Sequence, residues 1–233
     1  MTAKPRARLG LPSAPRLVHP EGVAERLVAA GVNLTEAQLG LVGDYLARLL
    51  AMNERMNLTA IVDPAEAWTR HAEDALSLVP MLAELPKGAR VADVGSGGGV
   101  PGIPLAIAFP DLPFSLIEST RKKAGFLQDM ARALDLRNVT VLPERAEYIG
   151  ESRMRGTFDA VTARAVSKLS LLVPLTAPLL RDGGRLLFIK GQRADEELVE
   201  AEAALRASHV IHCQTLSTPT GRVVVLEKVA RGA

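Results

Sequence analysis

The chain of 233 residues has a single cysteine, Cys213, and only four scattered histidines. One cysteine excludes an intramolecular disulfide and a cysteine-cluster metal site, and the scattered histidines lack the spacing of metal ligands. Because Cys213 falls in an apolar, strand-like run, we expect it to lie in the core. The sequence therefore predicts a protein that binds no metal.

Aromatic residues and long apolar runs are also scarce. Five Phe, two Tyr and one Trp are too few for a platform on which single-stranded bases stack. No apolar run approaches the length of a membrane span, and the N-terminus lacks the apolar centre of a signal peptide. We therefore expect a cytoplasmic protein without membrane contact.

Acidic residues are absent from the first twenty positions, which contain Lys4, Arg6, Arg8 and Arg16. This stretch is rich in proline and has no apolar periodicity, which predicts a disordered basic tail over residues 1–20. The whole chain carries a net charge of +2, so taking away the four charges of the tail leaves −2 for residues 21–233. Affinity for RNA would then come from a local basic patch or from the tail.

Residues 21–85 are predicted to form an N-terminal helical extension. Apolar periodicity predicts a short helix over residues 23–30. A longer helix is expected to begin at Thr35, where Thr35 and Gln38 have the spacing of a capping box. A third is expected to begin at Asp63, because Pro64 suits the first helical position.

Residues 86–233 alternate strands with helices, which predicts an α/β domain. Strands are expected at residues 91–94, 139–142, 158–162, 185–189, 210–216 and 223–228, and one more ends in Glu118. Helices are expected at residues 102–108, 120–134, 168–180 and 195–206, with a turn at Gly183 and Gly184. Right-handed crossovers would wind these elements into a three-layer, Rossmann-like sandwich with a mostly parallel seven-stranded sheet.

A glycine turn after the first of these strands indicates a cofactor with an adenosine end. Gly95, Gly97 and Gly99 let the chain reverse tightly and let a ligand approach the backbone. Glu118 closes the next strand, where a carboxylate can accept hydrogen bonds from both ribose hydroxyls. Asp93 suits the cationic amino-acid end of S-adenosylmethionine (AdoMet) and would repel a pyrophosphate.

NAD remains an alternative at this level. Gly97, Gly99 and Gly102 also have the spacing of the dinucleotide-binding motif. An NAD-linked oxidoreductase therefore competes with an AdoMet-dependent methyltransferase.

The residues that some methyltransferases use to create a nucleophile are missing. Cys213 is poorly placed for attack through pyrimidine C5, and residues 162–165 read TARA where adenine-amino methyltransferases commonly have an Asp/Asn-Pro-Pro-aromatic loop. Guanine N7 has a free lone pair and needs no deprotonation, so positioning and electrostatics would suffice. This interpretation predicts no catalytic general base.

Seven motifs follow one another in the order of a single family. They are Met52-Asn53 through Asn57-Leu58-Thr59, His71-x-x-Asp74, DVGSGGGVPG from Asp93 to Gly102, Glu118 followed by Arg121-Lys122-Lys123, Arg145-Ala146-Glu147, TARA from Thr162, and Lys190-Gly191. Over about residues 35–195 the chain resembles the bacterial small-subunit rRNA guanine-N7 methyltransferases, also called the glucose-inhibited-division protein B family.

The resemblance implies the class I AdoMet-dependent methyltransferase fold and a set of cofactor contacts. These are Gly95, Gly97 and Val100 in the glycine loop, Glu118 at the ribose, Ala146 and Glu147 at the adenine, and Arg164 near the methionine end and the incoming base. The implied substrate is guanine G527 in the decoding region of 16S rRNA. The expected partner is 16S rRNA, the small subunit or an assembly intermediate, bound by a monomer.

Four further residues are candidate substrate contacts: Arg121, Arg145, Lys190 and His71. The cations lie near the predicted cofactor edge, where they could hold phosphate. His71 and Asp74 lie three apart on a predicted helix, which favours a hydrogen-bonded pair. A non-catalytic AdoMet- and RNA-binding assembly factor also remains an alternative to the enzyme.

Overall fold

The computed structural model describes residues 10–230. Within them, seven strands form one sheet in the order β3-β2-β1-β4-β5-β7-β6. All neighbours pair in parallel except β7, which runs antiparallel to β5 and β6. The strands are β1 Val91–Val94, β2 Phe114–Ile117, β3 Val139–Leu142, β4 Phe158–Arg164, β5 Leu180–Lys190, β6 Val210–Ser217 and β7 Arg222–Lys228. The predicted α/β architecture with a mostly parallel seven-stranded sheet is confirmed.

Helices cover both faces of the sheet, with a hydrophobic core on each side. Before β1 they are α1 Val23–Ala29, α2 Glu36–Met56, α3 Pro64–Ala67, the π-helix Trp68–Glu73, α4 Asp74–Leu76 and α5 Val79–Ala83. After β1 they are α6 Gly102–Ala108, α7 Arg121–Ala133, α8 Ala146–Glu151, α9 Leu169–Thr176, the 3-10 helix Ala177–Leu179, α10 Ala194–Glu200 and α11 Glu202–Ala207.

Helix α2 begins where its capping box predicts. The Thr35 hydroxyl accepts from Gln38 N, and the Gln38 side chain accepts from Thr35 N, so two N-terminal amides are satisfied. Asp63 caps α3 in the same way, by accepting from Glu66 N. Both caps confirm predictions made from local spacing.

The helical extension shares its core with one face of the sheet. Buried side chains of α2, such as Leu46 and Leu49, join those of α6 and α7 in one hydrophobic cluster. The Tyr45 hydroxyl donates to the carbonyl of Gly98, 2.9 Å away, which ties α2 to the glycine turn. The division into an extension over 21–85 and a domain over 86–233 stays a prediction.

The predicted disordered tail lies partly outside the described residues, because 1–9 are not among them. Residues 10–20 contain neither helix nor strand. Arg16 nonetheless donates two hydrogen bonds to the Asp44 carboxylate, and Leu17 N donates to the carbonyl of Gly43. Residues 16 and 17 therefore depart from the prediction by lying against α2.

Several predicted boundaries differ from the structure. Strand β4 continues two residues beyond Thr162, to Arg164. Gly183 and Gly184 lie within β5, which carries a register irregularity there, and do not form a separate turn. The predicted helix over 195–206 is divided at Ala201 into α10 and α11.

Cys213 is exposed, so its predicted core position is wrong. It lies on β6, the strand at the edge of the sheet, where much of the surface faces solvent. No helix within residues 10–230 is long and apolar enough to cross a membrane. The same residues contain no group of three or more His, Cys, Asp or Glu side chains positioned for a metal ion.

Candidate active site

Two adjacent cavities open at the carboxyl ends of β1, β2 and β4. The larger, of about 390 Å³, and the smaller, of about 180 Å³, both touch Gly95. Strand β1 pairs with β2 on one side and with β4 on the other, so this edge is the point where the strand order reverses. Ligands of open parallel sheets bind at such a point.

The glycine turn allows the two cavities to meet. Gly95 has a φ of 69°, and a Cβ there would stand 2.7 Å from Val166 Cγ2. A side chain would therefore be strained and would collide with Val166. Gly102 opens α6 in an equally crowded place, since its Cβ would stand 2.7 Å from the Asp93 carboxylate.

Asp93 supports this turn from beneath. Its carboxylate is fully buried, accepts from the Thr162 hydroxyl at 3.0 Å and accepts from Gly102 N at 3.3 Å. Burial raises the pKa of Asp93 to about 7, and hydrogen bonds from Ser96, Thr162 and Gly102 oppose the rise. Asp93 lines neither cavity, so the predicted contact with the amino-acid end of the cofactor has no support here.

Glu118 lies just after β2, and both of its oxygens already accept a backbone hydrogen bond. Oε1 accepts from Thr120 N at 2.7 Å, and Oε2 accepts from Gly97 N at 2.9 Å. The neighbouring residues Ile117 and Ser119 line the smaller cavity. Each carboxylate oxygen keeps a free lone pair for a ribose hydroxyl, but Glu118 is buried and, like Asp93, lines neither cavity.

The smaller cavity lies against the start of α8. Ala146 and Glu147 of the first turn line it, together with Arg145, the residue before the helix. Val94, Ile117, Val166 and Leu175 supply apolar walls. An apolar slot with a polar rim fits a flat heterocycle such as adenine.

The larger cavity is walled by the helical extension on one side and by the end of β4 on the other. His71 bridges the two sides: its Nε2 is 2.8 Å from the Thr59 hydroxyl, and its Nδ1 is 3.2 Å from Nη1 of Arg164. Nη1 of Arg164 also donates to the carbonyl of Arg70. Burial, and after it the charge of Arg164, lowers the pKa of His71 to about 4.

The predicted hydrogen-bonded pair of His71 and Asp74 is wrong. Asp74 accepts instead from the backbone and the hydroxyl of Thr220, in the connection between β6 and β7. The π-helix over Trp68–Glu73 has wider turns than an α-helix, so residues three apart do not share a face.

The predicted cations occupy different positions. Arg145 borders the smaller cavity and Arg164 the larger. Lys190 is held away from both by the Glu197 carboxylate and the Ser167 carbonyl, each 2.7 Å from its Nζ. Arg121 is exposed at the start of α7 and lines neither cavity.

The residues that border the cavities include Thr59, Arg70 and Val166, which the sequence did not single out as site residues, and Lys123 of the Arg121-Lys122-Lys123 motif. The larger cavity thus presents hydrogen-bond donors from Arg70, Lys123 and Arg164, besides the Thr59 hydroxyl. Donor-rich walls suit a ligand edge made of acceptors. The Asn57-Leu58-Thr59 motif was the available signal for Thr59.

The sequence matches a family model described as GidB, rRNA small subunit methyltransferase G, over residues 38–225. A protein of Sorangium cellulosum described as ribosomal RNA small subunit methyltransferase G is 56% identical over 223 residues, 96% of this chain and 93% of that protein. A protein of the same description from Roseiflexus castenholzii is 42% identical over 206 residues, 86% of this chain and 87% of that protein.

Solved structures share the fold at low sequence identity. A SAM-dependent O-methyltransferase from Thermotoga maritima has a TM-score of 0.53 and 18% identity, over 79% of this chain and 72% of that one. The antibiotic-resistance methyltransferase Kmr has a TM-score of 0.50 and 17% identity, over 65% of this chain and 93% of that one. These likenesses concern the fold alone, and they confirm the predicted class I methyltransferase fold.

Proposed function

This chain belongs to the GidB family of rRNA small subunit methyltransferases, and we propose that it methylates N7 of guanine G527 in 16S rRNA. Membership makes it an AdoMet-dependent rRNA methyltransferase and rules out the NAD-linked oxidoreductase. The target atom and nucleotide are the proposal. The observation that carries it is the pair of cavities that meet at Gly95, the larger of which has Arg70, Lys123, Arg164 and the Thr59 hydroxyl among its lining groups.

The cofactor would lie across Gly95, with adenine in the smaller cavity beside Ala146 and Glu147. Glu118 would accept from the ribose hydroxyls, since it keeps one free lone pair on each oxygen. Gly95, Gly97 and Val100 would contact the methionine arm, because all three line the larger cavity. When bound there, AdoMet supplies an electrophilic methyl group.

The chemistry of the larger cavity supports guanine N7 as the acceptor. The edge of guanine in the major groove presents O6 and N7, and donors of the cavity wall can hold the base by O6 while the N7 lone pair stays free to attack the methyl group. N7 needs no deprotonation, so the protein has to hold the base in line and exclude water. Good positioning of this kind can supply about 7–11 kcal/mol of the barrier.

Arg164 and His71 would shape the pocket for the base. Arg164 is fixed by the Arg70 carbonyl and His71 Nδ1, which gives the wall one conformation. Arg121 would hold an rRNA phosphate outside the cavities, and Arg145 would hold one at the rim of the smaller cavity. Lys190 would have to leave Glu197 to do the same. We therefore propose that it holds the connection between β4 and α9 in place by donating to the Ser167 carbonyl.

The proposal is tested by methyl transfer from labelled AdoMet. The acceptors are 16S rRNA and small subunits from a strain that lacks this activity. Borohydride reduction and aniline cleavage then locate N7-methylguanine. We expect one strand break, at the target guanine. Label without cleavage would refute N7 as the acceptor, and bound AdoMet without any transfer would favour the assembly-factor alternative. The monomeric state, the cytoplasmic location and the choice among rRNA, subunit and assembly intermediate stay predictions.

A further inference from the structure

Thr59 lies in the wall of the larger cavity, in the loop that follows α2. Asn53 fixes this loop: its Oδ1 accepts from Leu58 N at 2.6 Å and from Thr59 N at 2.9 Å, and its Nδ2 donates to the carbonyl of Thr59. Both backbone groups of Thr59 are therefore satisfied by one side chain. The hydroxyl is held in place without help from a ligand.

The contacts of His71 determine which of its ring nitrogens carries a hydrogen. A guanidinium only donates, so the contact from Arg164 makes Nδ1 of His71 an acceptor. Arg164 can make this contact and the one to the Arg70 carbonyl together, because Nη1 has two hydrogens. The buried ring is neutral near pH 7, so its one hydrogen is on Nε2. Nε2 therefore donates to the Thr59 hydroxyl oxygen.

The Thr59 hydroxyl is left as a donor. Its oxygen accepts from Nε2 of His71 at 2.8 Å and from Ile61 N at 3.0 Å, which uses both lone pairs. No acceptor in the described part of the chain takes its hydrogen. A side chain that lines a cavity with its hydrogen unused is ready to donate to a ligand.

We propose that the Thr59 hydroxyl donates to O6 of the target base and so selects guanine over adenine. This inference rests on the proposed function and adds the feature of the base that is read. Adenine carries an amino group, a donor, where guanine carries O6. Two facing donors would both stay unsatisfied, and a mismatch of this kind reduces the rate about 10- to 100-fold.

The charge change during the reaction favours a neutral donor at this position. Guanine becomes cationic as N7 gains the methyl group, so a cation at O6 would oppose the transfer. Arg164, a cation of the cavity wall, directs its Nη1 hydrogens to His71 and the Arg70 carbonyl. The network thus presents a neutral hydroxyl to the base and engages both Nη1 hydrogens of Arg164.

The test compares bases and variants in one matrix. Wild type, Thr59→Val and Thr59→Ser are assayed on ligated 16S rRNA that carries guanine or 2-aminopurine at the target position. 2-Aminopurine keeps N7 and the 2-amino group but lacks O6. Wild type and Thr59→Ser are expected to prefer guanine about 10- to 100-fold more strongly than Thr59→Val does. Differences in the intrinsic reactivity of the two bases cancel in this ratio of ratios.

One result would overturn the inference: a preference for guanine over 2-aminopurine that is unchanged in Thr59→Val, whether the rates on both bases fall equally or the KM for AdoMet rises. Calorimetric binding of AdoMet shows that each variant is folded. If wild type forms no N7-methylguanine on the guanine substrate, the proposed function itself fails, which is a separate outcome.

Discussion

The two cavities that meet at Gly95 are built from different parts of the chain. Residues between Val94 and Leu175, all within the sheet region, line the smaller cavity. The larger one also takes Leu49, residues 58–61, Arg70 and His71 from the helical extension. We infer that the smaller cavity is a general cofactor site, called here the cofactor end of the cleft. The larger cavity, to which the extension contributes, would recognise the base and is called the base end. Changes at the two ends should therefore have separable effects.

The largest effect is expected at the base end, from Arg164→Ala. It would leave His71 Nδ1 and the Arg70 carbonyl without their donor, and it would loosen the wall of the larger cavity. We expect kcat/KM for methyl transfer to fall about 100-fold or more, as when one organising donor is removed from an active site. Circular dichroism is expected to show an unchanged fold.

Arg137→Ala is the matched control, because the Arg137 side chain makes an exposed ion pair with Asp135 and no other ion pair within residues 10–230. Surface pairs contribute little, so its activity should equal that of wild type. Full activity in Arg164→Ala would contradict the role given to the base end.

At the cofactor end, Glu118→Ala should weaken AdoMet binding. The variant loses the acceptor for the ribose hydroxyls and leaves two backbone amides, Thr120 N and Gly97 N, without theirs. Loss of hydrogen bonds to a charged group predicts about a 10- to 100-fold rise in Kd by calorimetry. The preference for guanine over 2-aminopurine should not change. Glu144→Ala, at an exposed residue that lines the smaller cavity, is the control, and equal affinities in the two variants would disprove the assignment.

Gly95→Ala tests the junction between the cavities. An alanine at position 95 would bring its Cβ against Val166 and would have to adopt a φ of 69°. We therefore expect the free energy of unfolding to fall by about 2 kcal/mol or more and AdoMet to bind more weakly. Gly88→Ala is the control, because Gly88 has a φ of 80° but no atom within 4 Å of the Cβ position. It should show the backbone strain alone, and equal losses in both would show that contact with Val166 is unimportant.

The smallest expected effect is the pH dependence of the unfolding free energy that His71, at the base end, contributes. The pKa of His71 is lowered from 6.5 to about 4, so the unfolded chain binds more protons between these values. The stabilising contribution of neutral His71 is complete above pH 6.5 and is lost as the pH falls towards 4. Asp93, with its pKa raised to about 7, has the opposite slope.

Comparison with His71→Gln isolates the histidine, because Asp93 is present in both proteins. The difference in unfolding free energy between wild type and variant should grow by about 2–3 kcal/mol from pH 4 to pH 6.5 in urea titrations. A constant difference over this range would mean that His71 is not buried as a neutral ring.

The sequence predicts local structure better than it predicts contacts between distant residues. The glycine turn and the caps at Thr35 and Asp63 depend on neighbours within a few residues, so spacing alone identifies them. The network of Thr59, His71 and Arg164 joins residues 12 and 93 positions apart. No local pattern indicates those contacts.

The wrong predictions have the same origin. Cys213 lies in an apolar run, but its exposure depends on β6 being at the sheet edge, which the order of the strands determines. Asp74 pairs with Thr220, 146 positions away, because the π-helix turns it away from His71. Tertiary contacts decide both outcomes.

A crystal structure of the protein with AdoMet tests the division of the cleft most directly. The account predicts adenine beside Ala146, ribose hydroxyls on the Glu118 carboxylate, and the methyl group directed past Gly95 into the larger cavity. Thr59 would then face the space left for the base. Adenine bound in the larger cavity against Thr59 and His71 would contradict the account.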